Sequence, residues 1–490
     1  MESILNLTKT NKLILAAIAF LAVVGLGSGQ AHAATLTVSG GCSLFNAITS
    51  INDATNTGGC TGTSYGTSDT INIPAGTQTL TSDVNNISVP VTIAGVGMNQ
   101  TTISGDMGQY RVLTATTDVT IRDLKITAFS DTAVRLSRNV QLSNIEIDGQ
   151  DATGTIGIQY STNTAGTYTV EAENIYIHGI NSSSGYVQGF WVEARTDAVV
   201  NASLRNVTLA DVHNNGGNGV NGIIMVASGD NAALTSTITN TTVDDITSTG
   251  LTAPFASYGS MNGGNATINT TVNNITITGT RGIAGTGFTA GLNTAAFYAA
   301  GNAYQAGDSV DVAVTVSNSL MADNLSNGSP SNCSFGDMTG NIGGQGTVTT
   351  SITSAGYNIS DDASCANFNQ TGDQQNVINI ISTLGPLQNN GGVVPTRALL
   401  AGSPAISSGS SVLGVTTDAR GIARPNTCPS VGAFQFEGAV CAVTTTNANA
   451  GGAAAPNTGA KTASTLMTII ASALGISMIT YAFRKRVAVK

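Results

Sequence analysis

Between Val119 and Met321, short runs of alternating aliphatic residues repeatedly reach an Asn or Asp, and beyond it the alternation changes parity. Val140 and Leu142 lead to Asn144, after which the apolar positions are Ile145 and Ile147. The same slip follows Asp123, Asn174, Asn206 and Asn274, and in weaker form Asn240 and Asn318. Inward side chains of a strand recur every second residue, so a parity slip means that the strand stops, turns a corner and starts again. Asn and Asp suit the corner because they tolerate the left-handed backbone region. A chain that repeats this device coils, each turn lying on the last.

The seven markers are separated by 21, 30, 32, 34, 34 and 44 residues. The shortest interval sizes a bare turn, and the longer ones carry loops, expected at 181–189, 214–221, 280–301 and 324–346. Tyr186, Phe190, Phe288, Phe297 and Tyr298 lie in or beside them. Spacing, alternation and corners together resemble the right-handed parallel β-helix of pectate lyases and many surface proteins. The resemblance implies an all-β solenoid in which Asn144, Asn174, Asn206, Asn240, Asn274 and Asn318 form an internal ladder, bonding from coil to coil. Open ends would expose strand edges, so a cap is needed. Leu44, Ala47, Ile48 and Ile51 fit a short amphipathic cap helix.

The two ends give an address. Residues 1–33 read as a secretory signal peptide: Lys9 and Lys12, an apolar stretch from Leu13 to Leu26, and a small-residue site at Ala31-His32-Ala33. At the other end a small-residue run, Ala442 to Ala454, precedes Ala455-Pro456-Asn457-Thr458-Gly459. An apolar segment, Leu466 to Phe483, and the basic cluster Arg484, Lys485 and Arg486 follow. That segment is long enough with its flanks to cross a membrane, and the positive cluster would hold its end inside. The arrangement resembles the cell-wall sorting signal of sortase substrates, with Ala455 where that family has Leu. It implies that the sortase joins Thr458 to the wall and the tail is lost; a plain membrane anchor is the alternative.

The expected organisation is therefore 1–33 signal peptide, 34–80 N-terminal cap and first strands, 81–383 β-helix, 384–437 C-terminal region, 438–454 linker and 455–490 sorting signal with a transmembrane segment in the precursor. Cys42 to Ala54 resembles the CSLREA motif of bacterial surface β-helix proteins, departing from it at Phe45 and Asn46. Leu384 to Glu437 resembles the choice-of-anchor Q domain, which implies a C-terminal β-helix region and transfers no catalytic residues.

Charge excludes some partners. The two ends hold seven of the 18 basic residues and one of the 28 acidic ones, which leaves 11 against 27 and a net charge of −16. Nucleic-acid binding needs a basic surface, so it is excluded as the role. An exported chain with six cysteines implies bridges rather than metal ligands. Several pairings are open, and closeness favours Cys42 with Cys60, Cys333 with Cys365 and Cys428 with Cys441. No CxxC occurs and only His178 and His213 remain beyond the signal peptide, so zinc is not expected.

Catalysis is not expected either. Asp244-Asp245 has no downstream histidine and is placed on a turn after Val243, and Lys125 is the only lysine of the body. Glu146, Asp148 and Asp151, with Glu171 and Glu173 one coil on, could meet on one face and hold calcium; a solvated outer face is the alternative. Asp418, Arg420 and Arg424 read as a structural salt bridge. Phe190 and Trp191 are the candidate glycan contacts, the alternative being that Trp191 plugs the rod. The expected role is that of a non-catalytic adhesin, glycan binder or envelope component at the cell surface, with sortase, wall, glycans or host surface as partners. A polysaccharide lyase or glycoside hydrolase is the alternative.

Overall fold

All seven expected corners carry the left-handed backbone: φ lies between 48° and 61° at Asp123, Asn144, Asn174, Asn206, Asn240, Asn274 and Asn318. The computed structural model that shows this describes residues 33–438, apart from 82–83, 106–110, 151, 153 and 262–264. The expected signal peptide, linker and sorting motif, the Leu466 to Phe483 span, Asp151 and Cys441 therefore lie outside the described residues. Among those described, no helix is long and apolar enough to cross a membrane.

The described chain is all-β, with twenty strands in one sheet, eight in a second and two in a third. Successive segments alternate between the first two sheets. Val119–Thr127 belongs to the first, Thr132–Leu136 to the second, Val140–Asp148 to the first and Ile156–Thr162 to the second. Each strand pairs in parallel with its counterpart one lap later. This arrangement is compatible with a β-helix.

Registry stacks like on like. Ile121, Leu142, Ala172, Leu204, Ile238, Val272 and Val316 form one file before the corner. Ile126, Ile147, Ile177, Leu209, Val243, Ile277 and Met321 form another after it. Every member of both files is buried. The parity slip thus returns the apolar set to the interior on both sides of each corner.

The ladder forms over its first four asparagines and then changes partner. Asn144 Nδ2 donates to Asp123 at 2.8 Å, Asn174 to Asn144 at 2.9 Å, Asn206 to Asn174 at 3.0 Å and Asn240 to Asn206 at 3.4 Å. Asn274 Nδ2 instead donates to the Gly432 carbonyl at 3.5 Å, and Asn318 Oδ1 accepts from the Ser410 amide at 2.8 Å. The expected six-asparagine ladder is corrected to this extent: its last two members bond to the C-terminal segment.

A second corner was not anticipated. Five residues beyond the first, positive φ recurs at Ala128, Gly179, Asp211, Asp245, Gly279 and Asp323. In six of the seven repeats two left-handed residues therefore bracket a four-residue strand segment.

At the N-terminus the cap helix is present as Leu44–Asp53. Ser43 caps it by accepting from the Asn46 amide at 3.2 Å. Leu44, Ala47, Ile48 and Ile51 are buried in the main core. Cys42 and Cys60 are joined beside the helix.

Residues 384–437 do not add parallel coils. They hold one antiparallel pair, Leu384–Gln388 with Thr396–Leu399, and otherwise run as turns. Proline and glycine explain this, because Pro395, Pro404, Pro425 and Pro429 cannot donate to a ladder. The segment folds back along the first sheet as a brace. Thr208 Oγ1 donates to the Pro395 carbonyl at 2.7 Å, Asn240 Nδ2 to Thr417 at 2.8 Å, and the Ala433 amide to Thr276 Oγ1 at 3.0 Å. Asp418 and Arg420 form the expected ion pair at 2.8 Å, with Arg420 stacked 3.6 Å from the Phe434 ring centre. Arg424 differs from expectation: it donates to the Thr417, Ser430 and Gly432 carbonyls and to Asn240 Oδ1.

Candidate functional site

Three strands of the second sheet, Thr132–Leu136, Ile156–Thr162 and Val187–Arg195, lie side by side in parallel. Val134, Ile158 and Phe190 occupy one registered file and are fully buried in the core. Alternation therefore turns the neighbouring residues outward, and Arg135, Gln159 and Trp191 form a file across the outer face. This corrects the expected glycan contacts. Phe190 is a core residue, and so is Phe297, which packs edge-to-face on Phe255 at 5.6 Å. Trp191 does not plug the interior; it is half-buried on the outside.

Two residues along, Ser161 and Glu193 are paired in register, and Arg195 follows on the same strand. Glu193 is buried, its carboxylate held by Ser161 Oγ at 2.8 Å and Arg195 Nε at 2.9 Å. Beside this grid opens a cavity of about 390 Å³, lined by Arg135 and Arg195, hydroxyls including Ser137 and Ser161, and the Asn163 amide. No carboxylate is among its lining residues. Arg111 stands nearby, paired to Asp131 at 3.3 Å. The Arg135 guanidinium makes no hydrogen bond or ion pair among the described residues. Burial, reinforced by the charge of Arg111, lowers its pKa from the ordinary arginine value.

On its other side Trp191 packs against an apolar outer cluster that includes Ile224, Val226, Tyr298 and Met338. Two loops close over that cluster, burying Leu292 and Met338, and are tied by Asn341 Nδ2 donating to the Phe288 and Ala290 carbonyls. Trp191 and Tyr258 border the cluster, while Tyr186 and Phe288 remain exposed.

A second group of charges sits on the short strand segments between the two corners. Lys125 Nζ lies 2.7 Å from Glu146 and 3.1 Å from Asp148, and His178 Nε2 lies 3.1 Å from Glu146. Tyr176 stacks on His178 at 4.1 Å. Glu171 and Glu173 do not join them: they precede the asparagine corner, and Glu173 pairs with Arg205 at 3.3 Å. Lys125 Nζ thus bridges Glu146 and Asp148, and the ligand atoms of Glu146, Asp148 and His178 lie within 4.8 Å of one another.

Asp244 and Asp245 do not form a carboxylate pair for acid–base work. The strand Thr242–Ser248 runs through both, rather than ending in a turn after Val243. Asp244 is buried, bonded to Thr278 Oγ1 at 2.5 Å and Arg397 Nε at 2.8 Å. Asp245 occupies the second corner, exposed, with His213 Nε2 at 3.9 Å.

The Lys125 cluster carries a pH dependence. Burial opposes ionisation of Glu146 and Asp148, but bonds from His178 and Lys125 to Glu146, and from the Gln150 amide and Lys125 to Asp148, outweigh it. Both carboxyls are held below their ordinary values. A carboxyl depressed by folding stabilises above its unfolded pKa of roughly 4, and that stability is lost as pH falls through the folded value. Denaturant midpoints should therefore fall as the pH drops below about 4. Lys125→Met should flatten that acid limb, and an unchanged limb would contradict the assignment.

Disulfides join Cys42 to Cys60 and Cys333 to Cys365, and Cys428 is also disulfide-bonded. No protein-family model matches the chain, and no curated protein matches it. The CSLREA and choice-of-anchor Q resemblances accordingly rest on the residues quoted for them.

Proposed function

We propose that this chain is an exported surface protein, built as a right-handed parallel β-helix, that binds glycans without cleaving them. The observation that carries the reading is the file of Arg135, Gln159 and Trp191 on successive strands, beside an open cavity. Sugar sites pair an aromatic face for the ring with polar groups for the hydroxyls, and this grid places both on rigid strands. The signal-like N-terminus and the Thr458 motif before an apolar span support export and sortase attachment to the wall.

The carboxylates argue for binding over cleavage. Hydrolysis needs a free acid and base flanking the scissile bond. Glu146, Asp148, Glu193 and Asp244 are each engaged by a cation of the protein itself. A polysaccharide lyase or hydrolase remains the second reading, favoured by the contact of His178 with Glu146 near Lys125 and by the grouping of Asp211, His213 and Asp245.

The test is a glycan array probed with the purified protein, with soluble sugar assayed in parallel. Retention without release of sugar is expected. Release of oligosaccharide would overturn the non-catalytic reading, and absence of retention would overturn glycan binding.

A further inference from the structure

We infer that the cavity between Arg135 and Arg195 receives an oxyanion carried on a sugar, a carboxylate or a sulfate ester, while a neighbouring ring of the same chain rests on Trp191. The inference rests on the glycan-binding reading and names the ligand's charge.

The sign of the cavity is contrary to that of the molecule. The body carries 27 acidic against 11 basic residues once the two ends are set aside, yet the lining of this cavity holds two arginines and no carboxylate. Arginine is scarce in the chain, and a third one, Arg111, lies close enough to act on Arg135 through its charge. Gathering like charges costs free energy unless an anion offsets it. Arg111 has Asp131 and Arg195 has Glu193, so each spends part of its donor set within the protein. Arg135 spends none of its own among the described residues. Its planar guanidinium offers two parallel N–H groups that match a carboxylate or sulfate edge.

The surroundings suit a sugar better than a bare ion. Asn163 offers a neutral amide, and the Ser137 and Ser161 hydroxyls, which donate to Ala115 and Glu193, offer acceptor oxygens around the arginines. The volume of about 390 Å³ falls within the range of small-molecule sites. Trp191 is two strands from Arg135 in the same file, roughly 10 Å at the strand spacing, which is the reach of a second sugar unit. A densely charged polyanion such as nucleic acid would be repelled by the acidic remainder of the surface, whereas spaced charges on a hydroxylated chain would not.

The experiment titrates the full protein with three probes: an oligogalacturonate, its neutral methyl ester and a sulfated dextran oligosaccharide. Arg135→Gln is expected to weaken binding of a charged probe by roughly tenfold or more, the worth of a charge-assisted bidentate bond, and to leave the methyl ester unchanged. Arg135→Lys should recover part of the loss. Trp191→Ala should weaken charged and neutral probes alike. Preference for oligogalacturonate over the sulfated probe assigns a carboxylate, and the reverse assigns a sulfate ester. Equal affinity for the oligogalacturonate and its methyl ester, or an Arg135→Gln protein that binds as the parent does, would overturn the oxyanion site while leaving glycan binding in place. Failure to bind any probe, with the array also blank, would remove the glycan reading beneath it.

Discussion

Arg424→Ala is expected to destabilise the brace by about 2–6 kcal/mol, the cost of leaving two buried acceptors without a donor. Arg424 is 7% exposed, and burial pushes its pKa down to about 10. Its guanidinium joins four acceptors: the Thr417, Ser430 and Gly432 carbonyls and Asn240 Oδ1. Alanine would leave the Ser430 carbonyl and Asn240 Oδ1 without this donor, whereas Thr417 and Gly432 keep those from Asn240 and Asn274, and each buried unpaired acceptor costs about 1–3 kcal/mol. The Asn240 bond ties the brace to a corner 184 residues earlier, so its loss should release the segment rather than unwind the coils. Limited proteolysis followed by mass spectrometry should locate new cuts within residues 384–437. Arg424→Lys, which keeps the charge without the fork, should fall between. Protection equal to that of the parent would show that the brace is held elsewhere.

Asn206→Ala is expected to cost about 2–4 kcal/mol, from two separable sources. The residue holds φ at 53°, which a Cβ other than that of Asn or Asp adopts only at about 1–2 kcal/mol. Its side chain is also the middle rung of the ladder, donating to Asn174 and accepting from Asn240. Asn206→Gly removes the rung and keeps the backbone relaxed, so it should cost less than alanine. The difference between the two denaturation midpoints isolates the corner strain. Equal midpoints for all three proteins would mean that neither rung nor corner holds the coils.

Much of this was legible in the sequence because one residue type does two jobs at the first corner. Asn144, Asn174 and Asn206 adopt the left-handed backbone and bond to one another, so the same letter recurs where the parity slips. The second corner was hidden because Ala128, Gly179, Asp211 and Asp245 share a backbone angle and no side-chain chemistry. The brace was hidden for another reason: its partners, such as Thr208 and Asn240, lie well over a hundred residues away and leave no local pattern. Two adjacent aromatics, Phe190 and Trp191, could not be assigned to inside and outside until the flanking parity of Val192 and Ala194 was fixed by pairing. Arg135 was overlooked as a site residue, although a signal existed. It sits between Val134 and Leu136 in an alternating run, and outward arginines are few in so acidic a chain.

Cysteine cross-linking tests the stacking of coils most directly. Ser203 and Thr237 are registered neighbours on successive laps, both exposed, whereas Ser236 beside Thr237 is buried. Adjacent strands lie about 4.8 Å apart, within the span that a disulfide bridges. Ser203→Cys with Thr237→Cys should oxidise to a single new bridge, mapped by peptide mass spectrometry, and Ser203→Cys with Ser236→Cys should not. A bridge in the second pair and none in the first would mean that asparagine does not set the parity of the coil.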